Sequence, residues 1–406
     1  MIAPACFRLP AAAFLAALAW GFQTSPAGES MVKDRAGLAA ALQKSEAGTV
    51  IRVAPGRYEG GLMATALKGT KDQPIVITAA DPAQPPVIEG GAAGIQLSGC
   101  QWVELSHLHF SGATANGINI DDGGSGKPAA RGIVLRHLVV ENTAPAGNRD
   151  GIKLSGLDAF TVEHCLVKRW GAGGSAIDMV GCHGGTVQDC EFRHDGAAAG
   201  DANGVQMKGG SADVTVRRCR FLGAGGRGVN LGGSTGAPYF RPPGALFEAK
   251  NLTVEDCLFV DCQAPVAFVG VDGATVHHNT LIYPGRWALR ILQENRGPGM
   301  AKCRSGVFSH NLILFRSGEL REAVNTGPDT NPESFRFESN AWHCEDRPAD
   351  TRRLIRLPVE EKNGTFGKAP QFRDPASGDF TQTPNSPVRG AGMRTGEAPL
   401  SPGRKD

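Results

Sequence analysis

The chain has 406 residues, of which only 20% are charged, and its formal net charge is +2. Such a balance supplies no basic field, which excludes nucleic acid as a natural partner. Glycine accounts for 55 residues, the usage expected of a fold that turns a tight corner again and again.

In chain order, Arg8 precedes an apolar run, LPAAAFLAALAWGF (9–22), that exits through small residues. This pattern predicts a signal peptide over 1–27 and a secreted or periplasmic protein, with no membrane contact after cleavage. The run is shorter than the ~20 apolar residues of a spanning helix. Residues 31–47 carry Leu38, Ala41 and Leu42 at helical spacing and predict an amphipathic helix capping the first strands. The segments 49–60 and 74–80 read as those strands. Residues 346–406, rich in Pro, Gly and charge, read as a C-terminal cap, with SPVRGAG (386–392) closing loosely over the last coil.

Between them, nine segments share one signature at intervals of 22 to 38 residues, from LSHLHF (105–110) through VEHCLV (162–167) to FESNAW (337–342). Repeats of this length, made of short apolar alternations and glycine-rich turns, predict an elongated solenoid of stacked coils over 28–345. The shared position reads His107, His137, Cys165, Cys190, Cys219, Cys257, Asn279, Asn311, Asn340. An inward column at this position predicts buried structural cysteines, side-chain amides bonding coil to coil, and His107 and His137 as buried spacers. Cys182, Cys262, Cys303 and Cys344 lie off the column, and a disulfide among them stays open. No CxxC pair suggests zinc.

The opening GTVIRVAPGRYEGG, then GTKDQPIVITAADPAQPPVIEGG, then stacked V-x-x-[C/N]-x-F units resemble the pectin-lyase-like right-handed parallel β-helix superfamily over residues 48–345. The resemblance implies an all-β right-handed parallel β-helix with an N-terminal helical cap and a loop-rich C-terminal cap. That superfamily holds lyases, hydrolases, epimerases and non-catalytic proteins, so function has to come from the site.

A second strand in each coil presents one outward residue between two apolar ones. These outward residues are Asn119, Lys153, Asp178, Gln206, Asn230, Ala267 and Arg290. Insertions at 121–130, 194–203 and 232–250 flank them and predict groove walls, the last carrying Tyr239 and Arg241 among prolines. A row of long hydrogen-bonding side chains predicts binding of an acidic polysaccharide by a monomer. Asn119, Gln206, Asn230, Tyr239, Arg241 and Arg290 are the substrate-binding candidates, with Arg290 as a distal clamp on a carboxylate.

The chemistry natural to this face is β-elimination beside a uronate carboxylate, which needs a base and a positive charge for the enediolate. Lys153 and Lys208 are the base candidates, expected to have lowered pKa values, with Asp178 beside them. DGIKLSG resembles the N-G-F-K-L-G-G segment of calcium-dependent pectate lyases, and the resemblance maps their base onto Lys153. Asp150, Asp178 and Asp201 are the carboxylates that could hold Ca²⁺, although a tight acidic cluster is lacking. NRDGI resembles polygalacturonases at Asp150, but NGV (203–205) stands where G-H-G is expected and no R-I-K follows. Two alternatives therefore remain, a polygalacturonase-like hydrolase and a non-catalytic carbohydrate-binding β-helix. His194 is the one histidine placed to test near the face.

Overall fold

A computed structural model describes residues 28–124, 129–194 and 202–394. The predicted signal peptide, Asp201, most of the 194–203 insertion and part of the 121–130 insertion lie outside the described residues. The chain winds as a right-handed parallel β-helix whose coils build three parallel sheets of 14, 10 and 12 strands. Alternate residues of each strand point inward, so Ile, Val, Leu and Phe fill a continuous core. Phe192, Phe221 and Phe259 stack along it, with ring centroids 4.9 and 4.6 Å apart.

The helix Arg35–Gln43 covers the first coil as predicted. Asp34 caps it by accepting from the Gly37 N–H at 2.7 Å, and Leu38 and Leu42 are buried. Residues 29–32 form a strand rather than helix, pairing in parallel with Val50–Val53. At the other end the coils continue past 345. Strands Glu361–Lys362 and Thr365–Phe366 extend two of the sheets. The tail then doubles back along the outside instead of closing the last coil. Val388 and Ala391 pack on Leu312 and Ala341, and Arg394 reaches Asp256 at 2.5 Å.

The inward column differs from the sequence reading by one residue in its first coils. Pairing of Leu105 with Leu135 and of Leu135 with Val162 aligns His107 and His137 with His164. Leu108 and Leu138 therefore stand in line with Cys165, and all three are buried. The histidines occupy the corner before the column, where every coil from His107 to Ser339 has a residue at φ 49–56°. There they point outward and stack on one another, 4.6 and 4.9 Å between ring centroids.

From Cys257 onward the column is a hydrogen-bond ladder. The Cys257 N–H donates to Asn279 Oδ1, Asn279 N–H to Asn311 Oδ1, Asn311 N–H to Asn340 Oδ1, and Asn340 N–H to buried Glu361, at 2.9–3.1 Å. All nine cysteines among the described residues are free and buried, so no disulfide forms among Cys182, Cys262, Cys303 and Cys344. No helix among the described residues is long and apolar enough to cross a membrane.

Candidate active site

Strand register in the ten-stranded sheet puts the outward residues in one line. Gln96 pairs with Asn119, Asn119 with Lys153, Lys153 with Asp178, Asp178 with Gln206, and Gln206 with Asn230. Ala267, Arg290 and Asn325 continue it. Two positions on, a parallel line holds Asp121, Ser155, Val180 and Lys208. A third contribution comes from the residue three places before several row positions, of which the sequence reading named Asp150 but missed Asn116 and Arg227. Asn116 bonds Asn119, Asp150 meets Lys153 and Arg227 bonds Asn230. The signal was present as an i, i+3 polar spacing at five successive row positions, from Asn116 and Asn119 to Arg227 and Asn230.

At the centre, one ammonium meets two buried carboxylates. Lys153 Nζ makes a short contact with Asp178 Oδ2 and lies 3.6 Å from Asp150 Oδ2. Asp178 is 1% exposed and Asp150 2%. The second oxygen of Asp178, Oδ1, is buried without a hydrogen bond, and its nearest cation is Lys208 Nζ at 3.4 Å. The other oxygen of Asp150 accepts from the Ser175 N–H at 2.8 Å. Burial, then the negative charge of Asp178, pushes the Asp150 carboxyl up to about 6. For Lys153 burial acts downward, but Asp178 and Asp150 outweigh it and the pKa is raised. The expected depression at Lys153 is thus reversed, because its neighbours are anions rather than cations.

The wall is the segment after strand Arg227–Gly232, which folds back across four coils. Its root is Glu248, fully buried, which accepts from the Gly209 N–H, the Thr235 N–H and hydroxyl, and the Asn295 amide at 2.7–2.9 Å. Its far end is Arg241, whose Nε donates to Asp122 Oδ2 at 2.9 Å. A Cβ at Gly181 would meet the Arg241 Cβ at 2.2 Å, so glycine there is what lets the wall sit down. The wall and floor enclose a cavity of about 420 Å³ lined by Lys153, Lys208, Ser155, Tyr239 and Arg241. A neighbouring cavity of about 400 Å³, which also touches Ser234, is lined by Gln206, Arg227, Arg290 and Glu294.

The structure brings Lys153, Lys208, Asp178 and Asp150 together, with Gln206 on the same strand as Lys208. Tyr239 stands 68% exposed over the first cavity. Three predicted contacts need correction. Asn230 is fully buried, held by Arg227 and the Gly232 carbonyl, so it supports the floor rather than touching a ligand. Arg241 is no free cation, since Asp122 and two wall carbonyls take its guanidinium. His194 bonds the Trp170 carbonyl at 3.0 Å and packs edge-on against its ring, a structural contact. Asn119 lies in the row but bonds Asn116 and Asp121. Arg290 is half-buried, stacked on Trp287 and bonded to Asn325.

Of the three carboxylates considered for Ca²⁺, Asp201 lies outside the described residues, and Asp150 and Asp178 are already bridged by a cation. A hard cation takes six to eight oxygens, but the Lys153 ammonium already occupies the place between Asp150 and Asp178. Among the described residues no group of three or more His, Cys, Asp or Glu side chains is arranged to hold a metal.

A family model described as right handed beta helix region matches residues 93–296. Among solved structures, an alginate lyase from Paenibacillus sp. str. FPU-7 is 17% identical with a TM-score of 0.51, covering 75% of this chain and 96% of that one. Pectate lyase Pel9A is 15% identical with a TM-score of 0.52, covering 88% and 86%. An endo-xylogalacturonan hydrolase from Aspergillus tubingensis is 14% identical with a TM-score of 0.46, covering 83% and 100%. No curated protein matches in sequence. At these identities the likeness to solved structures is one of fold.

Proposed function

The chain belongs to the right-handed β-helix family, and from the lysine–carboxylate cluster on its ten-stranded face we propose that it is a lyase of an acidic, uronate-containing polysaccharide. The observation that carries this reading is the pairing of two lysines on one buried carboxylate. Lys153 is fixed and kept charged by Asp178 and Asp150, whereas Lys208 has one looser contact, at 3.4 Å.

Lys153 then supplies the positive charge for the enediolate, and the Lys208 amine takes the proton from the carbon beside the uronate carboxylate. As that C–H bond breaks, its electron pair forms the carbon–carbon double bond. The C–O bond to the next sugar breaks, and the departing oxygen takes a proton from the Lys153 ammonium or from solvent. Asp178 orients both amines. The cationic role falls to Lys153, so the reaction proposed needs no Ca²⁺.

Inverting hydrolysis fits less well. It places carboxylates about 6.5–9.5 Å apart with a water between them, whereas Asp150 and Asp178 share one ammonium. The apolar run at 9–22 is proposed to export the protein, which would act as a monomer outside the cytoplasm.

The test is the mass of the products from alginate and pectate, the polymers named for the two lyases of like fold, and from other acidic glycans. Elimination leaves an unsaturated end with no water added. Products that have gained water would replace the lyase with a hydrolase, and intact polymer across the panel would leave a binding protein.

A further inference from the structure

We propose that the cavity between Arg227 and Arg290 is a second anion subsite, which holds another acidic unit of the same glycan and makes the protein select for a run of charged sugars. This rests on the reading of the groove as a site for an acidic glycan, but it concerns a different chamber and different residues.

The two chambers are contiguous, since Ser234 borders both. Gln206, at the near side of the second chamber, is one strand from Asp178, and Arg290 lies three strands further along. At about 4.8 Å per strand, the chamber spans roughly 14 Å of groove.

The charges in this chamber are built in. Arg227 is held by Asn230 at 3.0 Å and by Glu294 at 2.5 Å. Arg290 is fixed by Asn325 at 3.0 Å and by stacking 4.1 Å from the Trp287 ring centroid. Burial and then the nearby Arg227 lower the Arg290 pKa, the mark of two guanidiniums crowding one space. A carboxylate between them would relieve that repulsion, and planar guanidinium suits it in two-pronged geometry. Glu294, at the rim, is the internal competitor for the same cations.

The opposite end of the groove is unlike this. Asp121 lies there, its carboxylate taken by Gln96, Ser98, Asn119 and the Gly123 N–H. An acidic glycan is therefore drawn from the lysine cluster toward Arg290 and not toward Asp121.

The opposed charges of Arg290 and Glu294 allow a test that folding defects cannot imitate. Binding of galacturonate and mannuronate oligomers of two to six units is measured by calorimetry, in a Lys208→Ala background so that the glycan stays intact. Arg290→Gln is expected to weaken binding of the longer oligomers about tenfold and Glu294→Gln to tighten it severalfold, with little change for the dimer. Unchanged affinity in Arg290→Gln, or weaker binding in Glu294→Gln, overturns the subsite while leaving the lyase reading intact. Failure of every oligomer to bind overturns both. If the oligomers bind but the Lys208-intact protein releases no product, the subsite stands and the lyase falls.

Discussion

Two lines of residues run the length of this solenoid, one inside and one outside, and they differ in how completely their polar groups are satisfied. Inside, the oxygen of Asn311 accepts from the Asn279 backbone and side chain, while its amide donates to the Val276 carbonyl and to Asn340. Nothing is left over. Outside, Asp178 is as deeply buried but keeps one oxygen with no hydrogen bond, and three further charged groups crowd around it. The same coil period serves both lines. The inner one uses it to saturate polar groups and hold the coils together, and the outer one leaves a buried charge behind the two lysines that line a cavity, which is where chemistry is to be sought.

The largest effects should come from the outer line. Lys208→Ala is expected to lower turnover about a thousandfold while moving the melting temperature little. Lys153→Ala should abolish turnover and also destabilise the fold by about 2–3 kcal/mol, because two buried carboxylates lose their partner. A Lys153→Ala protein as stable as wild type by denaturant titration would break the claim that this lysine is fixed by Asp150 and Asp178.

The inner line predicts a pure stability effect. Asn311→Ala strands the backbone N–H of Asn279, whose side-chain amide keeps the Val254 and His277 carbonyls, and should cost about 2–3 kcal/mol with activity per folded molecule unchanged. Cys219→Ala, in the sulfur part of the same column, should cost only about 1 kcal/mol. Equal losses at the two positions by chemical denaturation would remove the distinction between ladder and filler.

A smaller effect is expected at the wall. Gly181→Ala adds a methyl group where Arg241 lies, at a φ of 61° that already disfavours a side chain. KM should rise severalfold with kcat less affected, since the wall shapes the cavity without touching the reacting bond.

Smallest is a pH effect. Asp150 in the folded protein stays protonated up to about pH 6, whereas an unfolded aspartate titrates near 4. The folded state therefore binds the proton more tightly, and this contribution to stability is lost as pH rises through about 6. Melting should drop by on the order of a degree or two between pH 5 and 7, less so in Asp150→Asn.

Much of this was legible in the sequence, for identifiable reasons. The period-two alternation in GIKLS, AIDMV and GVQMK fixed which residues face outward, and the register places Lys153, Asp178 and Gln206 side by side. The cysteine and asparagine column was legible from Cys165 onward. It slipped at His107 and His137 because a single left-handed residue precedes the inward position, and histidine fills that corner as readily as aspartate or arginine.

Pairing was harder to foresee. Nothing local links Arg241 to Asp122, which are 119 residues apart. Nothing near Lys153 in the chain reveals that Asp178 reverses the direction of its pKa shift. The part played by Arg227 was hidden for a third reason, since it opens its strand and reaches over the row from three places before Asn230.

The most direct test of the central claim is the absorbance of unsaturated uronate ends, followed in parallel for wild type, Lys153→Ala and Lys208→Ala on alginate and pectate with chelator present. The account predicts a rise for wild type that neither variant shows, with Lys208→Ala still binding the polymer. A rise of the same rate in Lys208→Ala would contradict it.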